Sequence, residues 1–184
     1  PEVEGTAERL TPKNTSVLAY LAFHRTATSS AVREVFWPSS VSRSTSDNAV
    51  SLIRRGVGTA SDGTPRLNVV AEGRFIVSDE IGCDWTRFQQ LVERAEVARR
   101  DHAPQDEMAL LLAALGLIAG PIASDTDQKH WLWLRDDPIV YSRVETAIVD
   151  AAHRLGYLGC ELQRPDVAMW AADKGLTVVP EQEA

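Results

Sequence analysis

The chain has 184 residues, 44% hydrophobic and 24% charged, the composition of an ordinary globular protein with material for one large domain or two small ones. No run approaches the roughly 20 apolar residues of a membrane span and no signal peptide is visible; Cys83 and Cys160 stand far apart, in no metal-ligand or redox spacing, and read as reduced thiols of a cytoplasmic protein. The net charge of −7 sits mainly in residues 87–184, whereas seven arginines face four acids between His24 and Arg74, a local balance of +3 that keeps phosphate binding open.

Thr11-Pro12 predicts a helix start, a hydroxyl N-cap followed by proline where its missing N–H costs nothing. Val17, Leu18, Leu21 and Ala22 then form one apolar face. A short break, RTAT, leads to Thr28 as the next cap. Val32, Val35 and Phe36 make a second face, and Trp37-Pro38 closes that helix. The serine-rich linker SSVSRSTS enters a third helix, with Ala49, Val50, Ile53 and Val57 inward and Gly58 as its left-handed cap. After the turn-rich TASDGTP, the runs RLNVV and RFIVS flank Ala71-Glu72-Gly73, a hairpin whose glycine takes a positive φ. Three helices and a hairpin within about 70 residues are the layout of a winged helix-turn-helix.

From Trp85 onward the pattern is wholly helical. Trp85, Phe88, Leu91, Val92 and Ala95 share a face, and Pro104 opens a helix with Met108, Leu111, Leu112 and Leu115 inward, ending at Gly120-Pro121. A polar loop, SDTDQK, precedes Trp131-Leu132-Trp133. Pro138 starts a long helix whose face is Val140, Val144, Ala147, Ile148, Ala151 and Leu155. Pro165 starts the last, with Val167, Trp170 and Ala171 inward and Gly175 as its stop. Small residues on helix faces, separated by short Gly/Pro turns, suggest stacked helical hairpins. The switch of periodicity places a domain boundary between Ser78 and Asp84, with Trp85 and Phe88 at the seam. The chain lacks an initial methionine and stops at GLTVVPEQEA, where a further helix is about to begin. It reads as a piece of a longer protein, with Val167, Trp170, Leu176 and Val178 on a sticky C-terminal edge.

The segments LTPKNTSVLAYLAFH, VREVFWP, DNAVSLIRRGVG, CDWTRFQQLVERA and LAALGLIAGP follow in order, and AADKGLTVVPEQEA is similar to a cut tetratricopeptide helix pair. Together they resemble the antibiotic-regulatory-protein (SARP-like) type of actinobacterial transcription factor. That family joins an OmpR-like winged helix to a bacterial transcriptional activator domain. The resemblance implies a mainly α fold with a small β wing: a winged helix-turn-helix DNA-binding domain over residues 1–83, then a tetratricopeptide-like activator domain over 84–184, truncated here. It implies double-stranded DNA and RNA polymerase as partners, a homodimer, and further domains of a longer parent chain that is in some cases membrane-attached. It also implies a reading helix over about Ser44 to Val57 in the major groove, with the wing on the backbone or minor groove.

With the four apolar residues buried, Thr45, Ser46, Asn48, Ser51, Leu52, Arg54 and Arg55 point outward. The candidate DNA-binding residues are Arg43, Thr45, Ser46, Asn48, Ser51, Arg54 and Arg55, with Arg74 on the wing. Asparagine reads adenine, arginine reads guanine, and hydroxyls serve phosphates or bases; the late-helix Arg54 and Arg55 suit phosphates better. Three residues depart from the family's pattern: Leu52 where a basic residue is usual, Gly56 near the helix end, and Glu72 at the wing tip. They keep open a second reading, a protein-interaction module that retains the fold without DNA. His24, His102, His130 and His153 form no metal-ligand pair and read as surface or capping residues. Asp136-Asp137 and Asp125/Asp127 read as helix N-terminal and loop charges. The tryptophans Trp85, Trp131, Trp133 and Trp170 read as packing, with a peptide groove as the alternative. No phosphate loop, nucleophile elbow or Cys/His dyad is present, so neither catalysis nor a cofactor or metal is expected.

Overall fold

The structure, a computed structural model, describes residues 10–38, 42–122, 131–135 and 137–178, except for the side chains of Arg43 and Arg135. The chain divides into two compact units, Pro1–Thr86 and Arg87–Ala184. The first is mainly α with a small β wing. Helix α1 (Pro12–His24) starts where the Thr11 hydroxyl accepts the Asn14 amide at 3.3 Å, and it buries Val17, Leu18, Leu21 and Ala22. Helix α2 (Ser29–Phe36) is capped by Thr28, whose hydroxyl accepts the Ala31 amide at 3.2 Å. It buries Val32 and Phe36, one turn apart, whereas Val35, expected inward, is exposed. Helix α3 (Arg43–Val57) follows; residues 39–41 of the serine linker lie outside the described residues.

The segment RTAT is more than a break. Thr26–Thr28 form strand β1, which pairs antiparallel with β3 (Arg74–Val77), and β3 pairs antiparallel with β2 (Leu67–Val70), giving the order β1-β3-β2. Arg25 makes this possible. At φ 61 it turns the chain out of α1, and its carbonyl accepts the Val77 amide at 3.1 Å. Its guanidinium donates to the carbonyls of Ile81 at 3.1 Å and Ser78 at 3.4 Å. The partners of β1 lie about fifty residues away, so local periodicity carries no sign of it. Between β2 and β3, Gly73 takes φ 67 as expected, and a Cβ there would lie 2.9 Å from the Ser29 hydroxyl. Glu72 also takes φ 64, in the region that disfavours a side chain. Leu18, Leu21, Ile53, Leu67 and Ile81 are fully buried, the centre of a core that α1, α3 and the sheet share.

The second unit is helical: α4 (Asp84–Arg100, which starts before the division), α5 (Pro104–Gly116), the short α6 (Leu132–Arg135), α7 (Pro138–Glu161) and α8 (Pro165–Val178). Two of its connections are the same turn. After α4, His102 takes φ 54 and the Ala103 amide donates to the Ala98 carbonyl at 2.9 Å. After α7, Gln163 takes φ 56 and the Arg164 amide donates to the Gly159 carbonyl at 2.7 Å. Each is a left-handed helix stop closed by a six-to-one bond, and in each proline opens the next helix at once.

Helices α7 and α8 pack most closely. A Cβ at Gly159 would fall 2.8 Å from the Ala168 amide nitrogen, and one at Gly175 would fall 3.1 Å from Ala152 Cβ. Gly175 therefore does not stop α8, which runs on to Val178; its missing side chain admits α7 instead. Helix α5 stops at Gly116, short of the expected Gly120-Pro121, with Ile118 N–H donating to the Leu115 carbonyl at 3.1 Å. Of the residues expected on a sticky edge, Val167 and Val178 are buried, Trp170 is half-buried and Leu176 is exposed.

Candidate nucleic-acid interface

Helix α3 has two unlike faces. Val50, Ile53 and Val57 are buried and Ala49 is half-buried, as the apolar spacing requires. Ser46 joins them at 7% exposure, which corrects its expected outward position. It lies one turn before Ala49 and Val50 and so falls on the core stripe, and no buried side-chain polar atom among the described residues lacks a partner. Gly56 is buried as well, so its place near the helix end fits close packing. Thr45, Asn48, Ser51, Leu52, Arg54 and Arg55 are exposed. Asn48, Ser51, Leu52 and Arg55 follow at i, i+3, i+4 and i+7, a single stripe along the helix. Arg43 is the first residue of α3, and its side chain lies outside the described residues.

The end of this helix is fastened to the wing. Arg54 Nε donates to the Leu67 carbonyl at 3.1 Å, so an expected phosphate ligand is partly engaged by β2. Arg66 Nη1 donates to the Val57 carbonyl at 3.0 Å, a cation at the negative end of the helix dipole, while its Nε meets Glu80 at 3.1 Å. Gly58, at φ 66, lets its amide reach the Arg54 carbonyl at 3.1 Å. The loop between α3 and β2 is tied by its own acids. Hydrogen bonds from the Ser61 hydroxyl and amide, then from Arg66, hold the Glu80 carboxyl below the usual carboxylate range. The Thr64 hydroxyl and amide do the same for Asp62. On the wing, Arg74 is exposed and lies 3.9 Å from the Glu72 carboxylate.

The cations of the basic window therefore do unequal jobs. Arg25 and Arg66 hold the fold together, and Arg54 is shared with β2. Arg55 makes no hydrogen bond or ion pair among the described residues. Sequence reasoning gave no role to Ser42, Ser44 or Thr59, which are also exposed beside α3. The Ser42 hydroxyl sits 2.8 Å from that of Ser44 and 3.1 Å from that of Thr45, a hydroxyl cluster at the helix start. The serine run itself was the available signal. The exposed side of α3 presents the Asn48 amide, several hydroxyls, Leu52, the guanidinium groups of Arg54 and Arg55, and one carboxylate, Asp47; apart from the leucine and the carboxylate these are groups of the kind that meet base edges and phosphates.

Other singled-out residues take structural places. Asp137 Oδ1 caps α7, accepting from the Ile139 and Val140 amides at 3.0 and 3.1 Å, whereas Asp125, Asp127, His130 and Asp136 lie outside the described residues. His24 packs against Tyr20 with ring centroids 4.4 Å apart and the planes tilted by 49°, and His102 is the left-handed stop of α4. Trp85 stacks on Phe23 at 5.6 Å, and Trp131 is buried. Both cysteines are free thiols, Cys83 with Sγ 3.1 Å from the Thr86 hydroxyl. Among the described residues, no helix is long and apolar enough to cross a membrane.

Residues 83–177 match the family model of the bacterial transcriptional activator domain, which covers more than half of the chain. The chain belongs to that family. It is a family of regulatory, non-enzymatic proteins of bacterial transcription. No match was found among curated proteins. The matched span runs from the start of α4 almost to the end of α8 and takes in both copies of the repeated turn. Among the described residues of the activator domain, the one buried charged side chain is held across two helices. Glu107 of α5, 2% exposed, accepts two hydrogen bonds from Arg154 of α7, at 2.6 Å from Nε and 2.9 Å from Nη2. This contact raises the Arg154 guanidinium above its ordinary pKa. Lys174 of α8 donates to the Ile118 carbonyl, tying the end of α5 to α8.

Proposed function

We propose that the chain is a DNA-binding transcriptional regulator of the SARP-like type. Residues 1–83 act as a winged helix-turn-helix on promoter DNA, and residues 84–184 serve dimerisation and regulation. Helix α3 enters the major groove, Asn48 and Thr45 face base edges, Ser51, Arg54 and Arg55 meet the backbone, and Arg74 on the wing follows the phosphates or the minor groove. The protein works where promoter DNA and RNA polymerase are, as a non-enzymatic recruiter in the cytoplasm. The observation that carries the reading is the two-faced α3: a buried stripe through Ser46, Val50, Ile53 and Val57 leaves Asn48, Ser51 and Arg55 exposed on one stripe, with Leu52 among them, beside a β hairpin. The activator-domain match supports the regulatory half.

The test is fluorescence anisotropy of the intact chain on duplexes selected from a random pool, at low and moderate salt. Arg54 and Arg55 together changed to glutamate should abolish binding at every sequence. Asn48→Ala should weaken selected duplexes more than random ones, by about 1–3 kcal/mol if it makes a bidentate base contact. Absence of salt-dependent binding to any duplex, even at low ionic strength, defeats the proposal. A second reading, an interaction module without DNA, rests on Leu52, 44% exposed in the middle of the outward stripe. Under that reading Leu52→Lys abolishes partner binding, whereas under the DNA reading it strengthens duplex binding.

A further inference from the structure

The C-terminal end of α3 borders a cleft lined by Ser51, Arg54, Arg55, Gly58, Thr59 and Pro65. We propose that this cleft is a seat for one phosphate group, with Arg55 as its charge clamp and the Ser51 and Thr59 hydroxyls as its neutral donors. Arg55 has no hydrogen-bond or ion-pair partner among the described residues, and Ser51 lies one turn before it on the same face. Thr59 closes the opposite side, where its backbone bridges to Pro65 and keeps the mouth of the cleft in place. Gly58 forms the floor; a Cβ there would meet nothing within 4 Å, so the space above its backbone is open. Arg54 is a wall with its Nε already committed to Leu67, and its remaining N–H groups add positive charge.

Two features work against an anion here, and both are offset. The end of a helix carries partial negative charge, but Arg66 covers the Val57 carbonyl. The nearby acids Asp62 and Glu80 are turned onto loop donors, the first onto Thr64 and the second onto Ser61 and Arg66. The charged residues that line the cleft itself are Arg54 and Arg55, so its wall is positive. A guanidinium with flanking hydroxyls suits a phosphate oxygen cluster, whether a phosphodiester of DNA or the phosphate of a small metabolite. The DNA source rests on the function proposed above; the phosphate chemistry does not.

The experiment is amide-resolved NMR of the intact chain, titrated with inorganic phosphate against chloride at constant ionic strength, then with a duplex. Phosphate should shift the Gly58 and Thr59 amides in the wild type, and Arg55→Gln should remove the shift. Arg55→Gln and Thr59→Val should each lower duplex affinity, by about tenfold for the arginine, equally at all sequences, and Arg55→Gln should reduce the salt slope by about one. If duplex displaces phosphate from the cleft, the seat holds a backbone phosphodiester. If phosphate shifts these amides while no duplex binds, the seat stands as one for a small phosphorylated ligand and the DNA function fails. If phosphate moves neither amide and Arg55→Gln leaves duplex affinity unchanged, the seat is overturned even though DNA binding stands.

Discussion

Replacing Arg154 with methionine should be the most damaging single change in the activator domain. The substitution keeps the apolar stem but leaves the Glu107 carboxylate, whose side chain is 3% exposed, without the two hydrogen bonds it accepts at 2.6 and 2.9 Å. Breaking a buried pair from one side costs about 3–5 kcal/mol, since an uncompensated charge stays in the interior. Arg154 itself keeps 30% of its side chain exposed, so water can enter where the guanidinium was, and the lower end of that range, about 3 kcal/mol, applies. At a urea m-value of about 2 kcal/mol/M, this moves the midpoint for the second unit down by roughly 1.5 M. The assay is urea denaturation followed by helical circular dichroism, with α3 fluorine or NMR probes showing that the first unit is still folded. Glu107→Leu combined with Arg154→Met should return stability to within about 1 kcal/mol of the parent, because an apolar pair replaces an ionic one. A single-variant loss below 1 kcal/mol, or a double variant that loses the sum of both singles, would refute the claim that the pair matters through uncompensated burial.

Gly159→Ala should destabilise the α7–α8 hairpin by about 1–3 kcal/mol, because its Cβ would press on the Ala168 backbone at 2.8 Å; Gly116→Ala, with open space around it, should not, and calorimetry compares the two. Glu72→Gly removes a side chain from φ 64 and an anion 3.9 Å from Arg74, so duplex affinity should rise while thermal stability changes by less than about 1 kcal/mol. An unchanged affinity would take the wing tip out of the interface. The Glu80 and Asp62 carboxyls are held below their ordinary range in the folded chain, so the stability they lend is present above the unfolded pKa and is lost as pH falls through the lowered folded value. Protection of the Ser61 and Thr64 amides, read as exchange relative to the intrinsic rate at each pH, should fall under that acidification, and in Glu80→Ala the Ser61 amide should lose this protection at every pH.

The ends of the helices were legible because capping is local chemistry. Thr11-Pro12 and Thr28 place hydroxyls and proline against their own backbone, and Pro104, Pro138 and Pro165 open helices as their fixed φ allows, with no help from distant residues. The outward stripe of α3 was legible too, since the spacing of Val50, Ile53 and Val57 fixes which residues face away. Carrying that spacing back one turn would have placed Ser46 inward, but a hydroxyl carries no hydrophobic signal. What only the tertiary structure decided depends on partners far along the chain. Strand β1 exists because β3, some fifty residues later, completes its hydrogen bonds. Gly175 marks a close approach to Ala152 and not a helix end, which no reading of its neighbours could distinguish. The arginines look equivalent in the sequence, yet Arg25, Arg54 and Arg66 are drawn onto backbone carbonyls while Arg55 keeps its charge outward. A guanidinium's role is set by which acceptors fold within about 3 Å of it, and that distance is a property of the assembled core alone.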